Sequence, residues 1–227
     1  MELNSLETKE IEDLKPRRKA NFKEIANNNI VRIKGIAEKD FEFNHKYYDE
    51  RFFKTVLQVE RKSGIIDRIP ILVSEIILPN IEKRNIKGKN IEVSGEFRSV
   101  NKNRHLILFV LVKRITICDY SMQIENSIRD LNYNFIYLNG FICKKPIFRT
   151  TPSGIKITDL CVAVNRRYRK SDYIPCIVWQ RGALLSSIMN IGDNIQLYGR
   201  IQSRTYPKNH TILEVNEVSA MFMEKIN

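Results

Sequence analysis

Two clusters of basic side chains with aromatic residues set among them are the part of this sequence best equipped for chemistry. Arg166, Arg167, Arg169 and Lys170 form one cluster, Arg200, Arg204 and Lys208 the other, and Tyr168, Tyr173, Trp179 and Tyr206 are interleaved with them. Cations neutralise phosphates and release counterions, and aromatic faces stack on any base. The combination therefore suits non-covalent, largely sequence-tolerant binding of a single nucleic-acid strand. Tyr173 and Trp179 are separated by an even number of residues and so share one face of a strand. On residues alone, the alternative that these two rings are half-buried core stays open.

Covalent chemistry has much weaker support. The three histidines, His45, His105 and His210, are far apart, and Cys118, Cys143, Cys161 and Cys176 contain no C-x-x-C pair, which argues against a structural zinc site. Gly88-Lys89-Asn90 lacks the upstream glycine and the following Ser or Thr of a phosphate loop. No nucleophile with a base and no paired carboxylates stand out, so the expectation is a protein that is not an enzyme and needs no metal or cofactor.

Composition agrees with a polyanion partner. The 227 residues carry 38 Lys+Arg against 26 Asp+Glu, a formal net charge of +12. Nucleic acid is the leading candidate and an anionic membrane surface the second. The start, Met1-Glu2-Leu3-Asn4-Ser5-Leu6-Glu7, is acidic and has no secretory pattern, and no apolar run reaches the roughly 20 residues of a membrane span. These features lead us to expect a cytoplasmic, nucleoid-associated protein without a membrane partner, its cysteines reduced and serving as small core residues.

The elements that must position the two clusters emerge from an internal repeat. Gly35, Phe43, Val59, Arg61, Asp67, Ile69, Pro70 and Val73 recur 105 residues later as Gly140, Phe148, Val164, Arg166, Asp172, Ile174, Pro175 and Val178. A one-residue deletion then pairs Gly88, Asn90, Ile91, Gly95 and Ser99 with Gly192, Asn194, Ile195, Gly199 and Ser203, and His105 with His210 restores the first offset. The expected organisation is an arm over 1–29, a first domain over 30–118, a linker over 119–133, a second domain over 134–222 and a tail over 223–227. In the second copy, 135–141 and 155–164 alternate as strands around the turn Thr151-Pro152-Ser153-Gly154. Strands over 173–179, 194–201 and 211–215, with a helix over 183–189, complete the unit. Five strands and one short helix in about ninety residues are the content of an oligonucleotide-binding barrel, so the expected fold class is all-β with short helices, two such barrels in tandem.

The second copy also carries motifs of a known family. Gly140, Pro146, Arg149, the Thr150-Thr151-Pro152-Ser153-Gly154 turn, Ala163-Val164-Asn165-Arg166 and Gly199-Arg200-Ile201-Gln202-Ser203-Arg204 resemble the bacterial single-stranded-DNA-binding protein family over about residues 134–216. The resemblance implies an oligonucleotide-binding barrel that coats exposed strands in replication, recombination or repair. It places Tyr168, Tyr173, Trp179 and Tyr206 where the family stacks bases, with Arg149, Arg166, Arg167, Arg169, Lys170, Arg200, Arg204 and Lys208 as the basic part of the site. Family members with one barrel per chain act as tetramers, so the resemblance implies a homodimer with four barrels, although a monomer stays open. The chain ends Glu224-Lys225-Ile226-Asn227, without the acidic tail through which many family members recruit other proteins. A protein-interaction scaffold of a replication or phage complex, and a single-stranded RNA binder, are the alternatives.

The first copy resembles the family only through the repeat. At the places of Tyr168, Tyr173 and Trp179 it has Ser63, Arg68 and Ser74, yet 30–118 holds 18 Lys+Arg and 11 Asp+Glu, the same balance as the 13 and 6 of 134–227. Equal charge without the stacking set suggests weak phosphate tracking or a role in assembly. Its own aromatic residues, Phe41, Phe43, Tyr47, Tyr48, Phe52 and Phe53, are expected in the core, with different stacking faces as the alternative.

Overall fold

The computed structural model describes residues 28–103, 105–118, 133–166, 170–208 and 211–226, the side chains of 206–208, 211 and 212 excepted. Of the expected arm over 1–29 and linker over 119–133, residues 1–27 and 119–132 lie outside the described residues. The first half contributes β1 (Asn29–Ala37), β2 (Glu42–Tyr47), β3 (Glu50–Glu60), β4 (Ile66–Ser74), β5 (Asn90–Lys102) and β6 (His105–Cys118), with a single 3-10 turn at Ile81–Lys83. The second contributes β7 (Tyr133–Ile142), β8 (Ile147–Thr150), β9 (Lys156–Asn165), β10 (Ser171–Trp179), the helix α1 (Gln180–Ser187), β11 (Asn194–Lys208) and β12 (Thr211–Lys225).

Each half closes into a barrel. β1 pairs antiparallel with both β5 and β3, β3 with β4, β4 runs parallel to β6, and β6 pairs with β5. The ring β7, β9, β10, β12, β11 repeats that order. Five strands close each ring, while the short β2 and β8 extend the hairpins beside it. The tandem five-stranded barrels expected from the repeat are therefore the observed fold.

Alternation of apolar residues fills the interiors. Val31, Ile33, Leu57, Ile69, Val93 and Val110 are buried in the first barrel, and Ile136, Leu138, Val162, Ile174, Leu197 and Ile201 in the second. Gly35 and Gly140 lie where the first strand of each barrel crosses from one partner to the other. A Cβ there would stand 2.5 Å from the carbonyl oxygen of Gln58 or Ala163, so any side chain would force the barrel open.

The two barrels share one sheet. β1 pairs antiparallel with β7 from Asn29↔Leu138 to Lys34↔Tyr133, joining the rings into twelve continuous strands. On either side of this seam an asparagine brackets a backbone unit. Asn29 accepts from the Phe97 N–H at 2.8 Å and donates to the Phe97 carbonyl at 2.8 Å. Asn134 does the same for Ile201 at 2.9 and 2.6 Å. Such bonds satisfy backbone groups where the strands lean away from each other.

Several expectations need correction. The short helical element of the first copy is a 3-10 turn. β12 runs ten residues past Val215, because the outer part of β11 continues to pair with it down to Ile195↔Lys225. The first-copy aromatic residues divide: Phe41 and Phe53 are buried, whereas Phe43, Tyr47 and Tyr48 are 57%, 63% and 84% exposed. They lie on the β2–β3 hairpin, where no second layer covers them among the described residues. Of the cysteines, Cys176 is buried and Cys118, Cys143 and Cys161 are partly exposed, all as free thiols.

Candidate nucleic-acid interface

β10 alternates as its sequence dictates. Asp172, Ile174, Cys176 and Val178 turn inward, while Tyr173, Pro175, Ile177 and Trp179 form the opposite face. Tyr173 is 51% exposed and presents its ring to solvent. Trp179 ends the strand half-buried, its indole N–H donating to the Ser219 Oγ at 2.9 Å. Ser219 is on β12, which lies beside β10 in parallel register at Ile177↔Ser219. The hydrogen bond orients the indole while leaving it outside the barrel core.

β11 supplies the basic side chains. Arg204 is exposed, with its Nε 3.0 Å from Glu217 Oε2, and the other carboxylate oxygen of Glu217 accepts from Gln202 at 2.9 Å. Arg200 is half-buried, and its burial together with the nearby charge of Arg61 holds its pKa below the ordinary arginine value. Beside these residues a cleft of about 300 Å³ opens between the barrels, lined by Leu106 and Leu108 of β6, Pro175 of β10, Arg204 of β11, and Val215, Asn216 and Glu217 of β12.

Two other basic residues are tied up. Arg149 on β8 makes a two-pronged pair with Asp159 at 2.6 and 3.2 Å, which holds it charged but occupies its fork. Arg166 approaches buried Asp172 at 3.4 Å. That carboxylate also accepts from Arg98 at 2.8 Å and from the Ser99 N–H at 2.8 Å, both on the first barrel. Lys170 is exposed. Arg167, Tyr168 and Arg169 lie outside the described residues, as do the side chains of Tyr206 and Lys208, whose backbones form the end of the β11–β12 hairpin. The structure thus brings Tyr173, Trp179 and Arg204 to one side of the second barrel, and it turns Arg166 and Arg200 toward the seam.

Sequence reasoning missed the contribution of the first barrel. Asp67, the repeat partner of Asp172, takes Arg61 on both oxygens at 2.7 and 2.6 Å and the Ser203 N–H at 2.7 Å. The two serine hydroxyls reciprocate: Ser203 Oγ accepts from the Arg68 N–H at 2.9 Å and Ser99 Oγ from the Tyr173 N–H at 2.8 Å. The identities Arg61/Arg166, Asp67/Asp172 and Ser99/Ser203 carried this signal, but the repeat alone did not say that the partners belong to opposite barrels. In the first barrel Ser63 is exposed but carries no ring, and the other two equivalent positions are taken up otherwise. Arg68 is paired with Glu38 and with Glu214 at 2.8 Å, and Ser74 is buried.

Two five-stranded barrels of this topology have the architecture of the oligonucleotide-binding fold. Residues 133–224 match the model of the Single-strand binding protein family. A single-stranded DNA-binding protein of Oceanobacillus iheyensis is 32% identical over 102 residues, which cover 40% of this chain and 63% of that protein. Single-stranded DNA-binding protein 1 of Staphylococcus aureus is 33% identical over 105 residues, 41% of this chain and 63% of the relative. Residues 133–224 are thus similar to the single-strand binding protein family, and the chain spans about 63% of the length of these curated relatives. The wild-type single-stranded DNA binding protein of Thermus aquaticus shares the fold of both barrels, with a TM-score of 0.67 at 19% identity over 88% of this chain and 93% of that one. Among the described residues no helix is long and apolar enough to cross a membrane.

Proposed function

We propose that this chain is a non-catalytic single-stranded DNA-binding protein that coats exposed strands during replication, recombination or repair, in the cytoplasm and at the nucleoid. The observation that carries this reading is the outer face of β10, which presents exposed Tyr173 and half-buried Trp179, with exposed Arg204 on β11 of the same barrel, in a segment that matches the single-strand binding family model. Tyr173 and Trp179 stack on bases, together with Tyr168 and Tyr206. Arg204, Lys170, Arg167, Arg169 and Lys208 track phosphate, and Arg149, Arg166 and Arg200 flank the path. Anisotropy of labelled oligo-dT tests this directly. Binding that tightens as salt is lowered, with oligo-rU competing less well, is the expected result; no association at low salt would overturn it, and preference for oligo-rU would move the assignment to RNA.

The same reading includes a homodimer of four barrels. Phe135, Tyr137, Tyr198 and Phe222 gather on the outer side of the shared sheet, with ring centroids of neighbours 4.9 to 6.2 Å apart. An aromatic face of this kind suits burial against a second copy. Sedimentation equilibrium should give twice the 26.7 kDa chain mass.

A protein-interaction scaffold is the second reading, favoured by the exposed rings of Phe43, Tyr47 and Tyr48 on the β2–β3 hairpin. Capture of a protein that oligo-dT displaces would support it.

A further inference from the structure

The seam between the barrels contains two charge clusters related by the repeat, and they are wired differently. Around Asp172 each cation has a carboxylate: Arg98 bonds Asp172 and Glu96, Lys113 bonds Glu96, and Arg166 approaches Asp172. Around Asp67 the place of Glu96 in the repeat is taken by Arg200. Asp67 takes Arg61 on both oxygens and the Ser203 N–H on one, and it makes no hydrogen bond or ion pair with Arg200, on which it acts only as a nearby charge. Among the described residues Arg200 has no hydrogen bond and no ion pair, and its Nε is buried without an acceptor. A buried guanidinium donor with no acceptor, within the field of a second guanidinium, is an arrangement that an anion completes.

We propose that Arg200 of the second barrel and Arg61 of the first form a subsite for one backbone phosphate of a single strand, bridging the seam. A phosphodiester oxygen accepts from the Arg200 guanidinium and lies in the field of Arg61, which Asp67 fixes in place. Arg61 opens the β3–β4 turn, closed by its N–H bond to the Ile65 carbonyl at 2.8 Å, so the diverged first barrel contributes to the path through a rigid hairpin and not through stacking. This inference rests on the strand-binding reading and adds a contact from the barrel that lacks the aromatic set.

The test is the salt dependence of oligo-dT binding by the intact chain. Each phosphate contact to a single strand contributes about 0.7 to the slope of log K against log salt. Arg200→Gln should lower that slope by about 0.7, with an unfolding midpoint at or above that of the unsubstituted protein. Arg200→Lys, which keeps the charge, should retain the slope, and so should Lys83→Gln, which removes a charge from the exposed 3-10 turn. An unchanged slope in Arg200→Gln overturns the subsite and leaves strand binding standing. An equal loss in Arg200→Lys or in Lys83→Gln also overturns it, since the effect would then not be the charge at this position. Failure of the unsubstituted protein to bind oligo-dT overturns the strand-binding reading and the subsite together.

Discussion

Val31 pairs directly with Ile136 across the β1–β7 junction, and these two residues are repeat equivalents, 105 positions apart. A residue facing its own counterpart in an antiparallel pair marks a two-fold axis, so the two barrels of one chain meet as the subunits of an isologous dimer do. Everything reciprocal at the seam follows from that axis: Asn29 and Asn134 bracket equivalent strands, and each aspartate of the pair Asp67 and Asp172 reaches the serine N–H of the opposite barrel.

The seam should therefore depend on its buried polar groups. Asn29→Ala would leave the buried N–H and carbonyl of Phe97 without their partners, and an orphaned buried group costs about 1–3 kcal/mol. Urea unfolding followed by circular dichroism should show a lowered midpoint with an unchanged m-value.

Asp172 bears the larger load. Asp172→Ala removes the acceptor of Arg98, Arg166 and the Ser99 N–H at once, and breaking a buried ion pair from one side costs about 3–5 kcal/mol. In a double-mutant cycle, the loss from Arg98→Ala should shrink in the Asp172→Ala background.

Acid should weaken the fold through a defined set of carboxylates. Glu38 is held below its ordinary value by hydrogen bonds from Arg68, Asp40 by the N–H groups of Lys87 and Ile86, and Glu75 by bonds from the Arg51 backbone and side chain. For a group whose folded pKa is depressed, the stabilisation is complete above its unfolded value and disappears as pH falls through the folded one. The ordinary values are 3.8 and 4.5, so unfolding free energy should be steady from pH 7 to about 5.5 with respect to these groups and fall below about 4.5. Asp40→Asn should shrink the acid-induced part of that loss.

Base stacking makes its own prediction. Tyr173→Ala removes an exposed ring and nothing from the core, so stability should change little while oligo-dT affinity falls by about 1–3 kcal/mol, the range for one stacked base. Ser74→Ala, at the first-barrel position equivalent to Trp179, should leave affinity unchanged.

Most of the barrel framework was legible because alternation and the repeat report burial. Ile136, Leu138, Val162 and Ile174 mark inward faces by sequence alone, and Gly35/Gly140 mark crowded crossings. The exceptions share a cause. Asp67 and Asp172 look like solvated residues beside a hairpin, yet both are buried because the two-fold axis supplies N–H partners from a sequence-distant strand. Phe43, Tyr47 and Tyr48 look like core, yet no second layer covers their hairpin among the described residues. Strand β8 escaped notice because Ile147-Phe148-Arg149-Thr150 does not alternate in polarity and forms its strand pairing with β9 alone. Of the proposed site, Tyr173 and Trp179 were read onto one strand face correctly, whereas the pairing of Arg149 with Asp159 and the turn of Arg166 toward the seam depend on tertiary neighbours.

The most direct measurement of the central claim uses the single tryptophan. Trp179 fluorescence should be followed while the protein is titrated with oligo-dT at two salt concentrations. Saturable quenching whose midpoint moves to higher oligo-dT at higher salt is the result expected if bases stack on the outer face of β10. An anisotropy change with unaltered Trp179 emission would contradict that placement of the strand, and the absence of both signals at low salt would contradict strand binding itself.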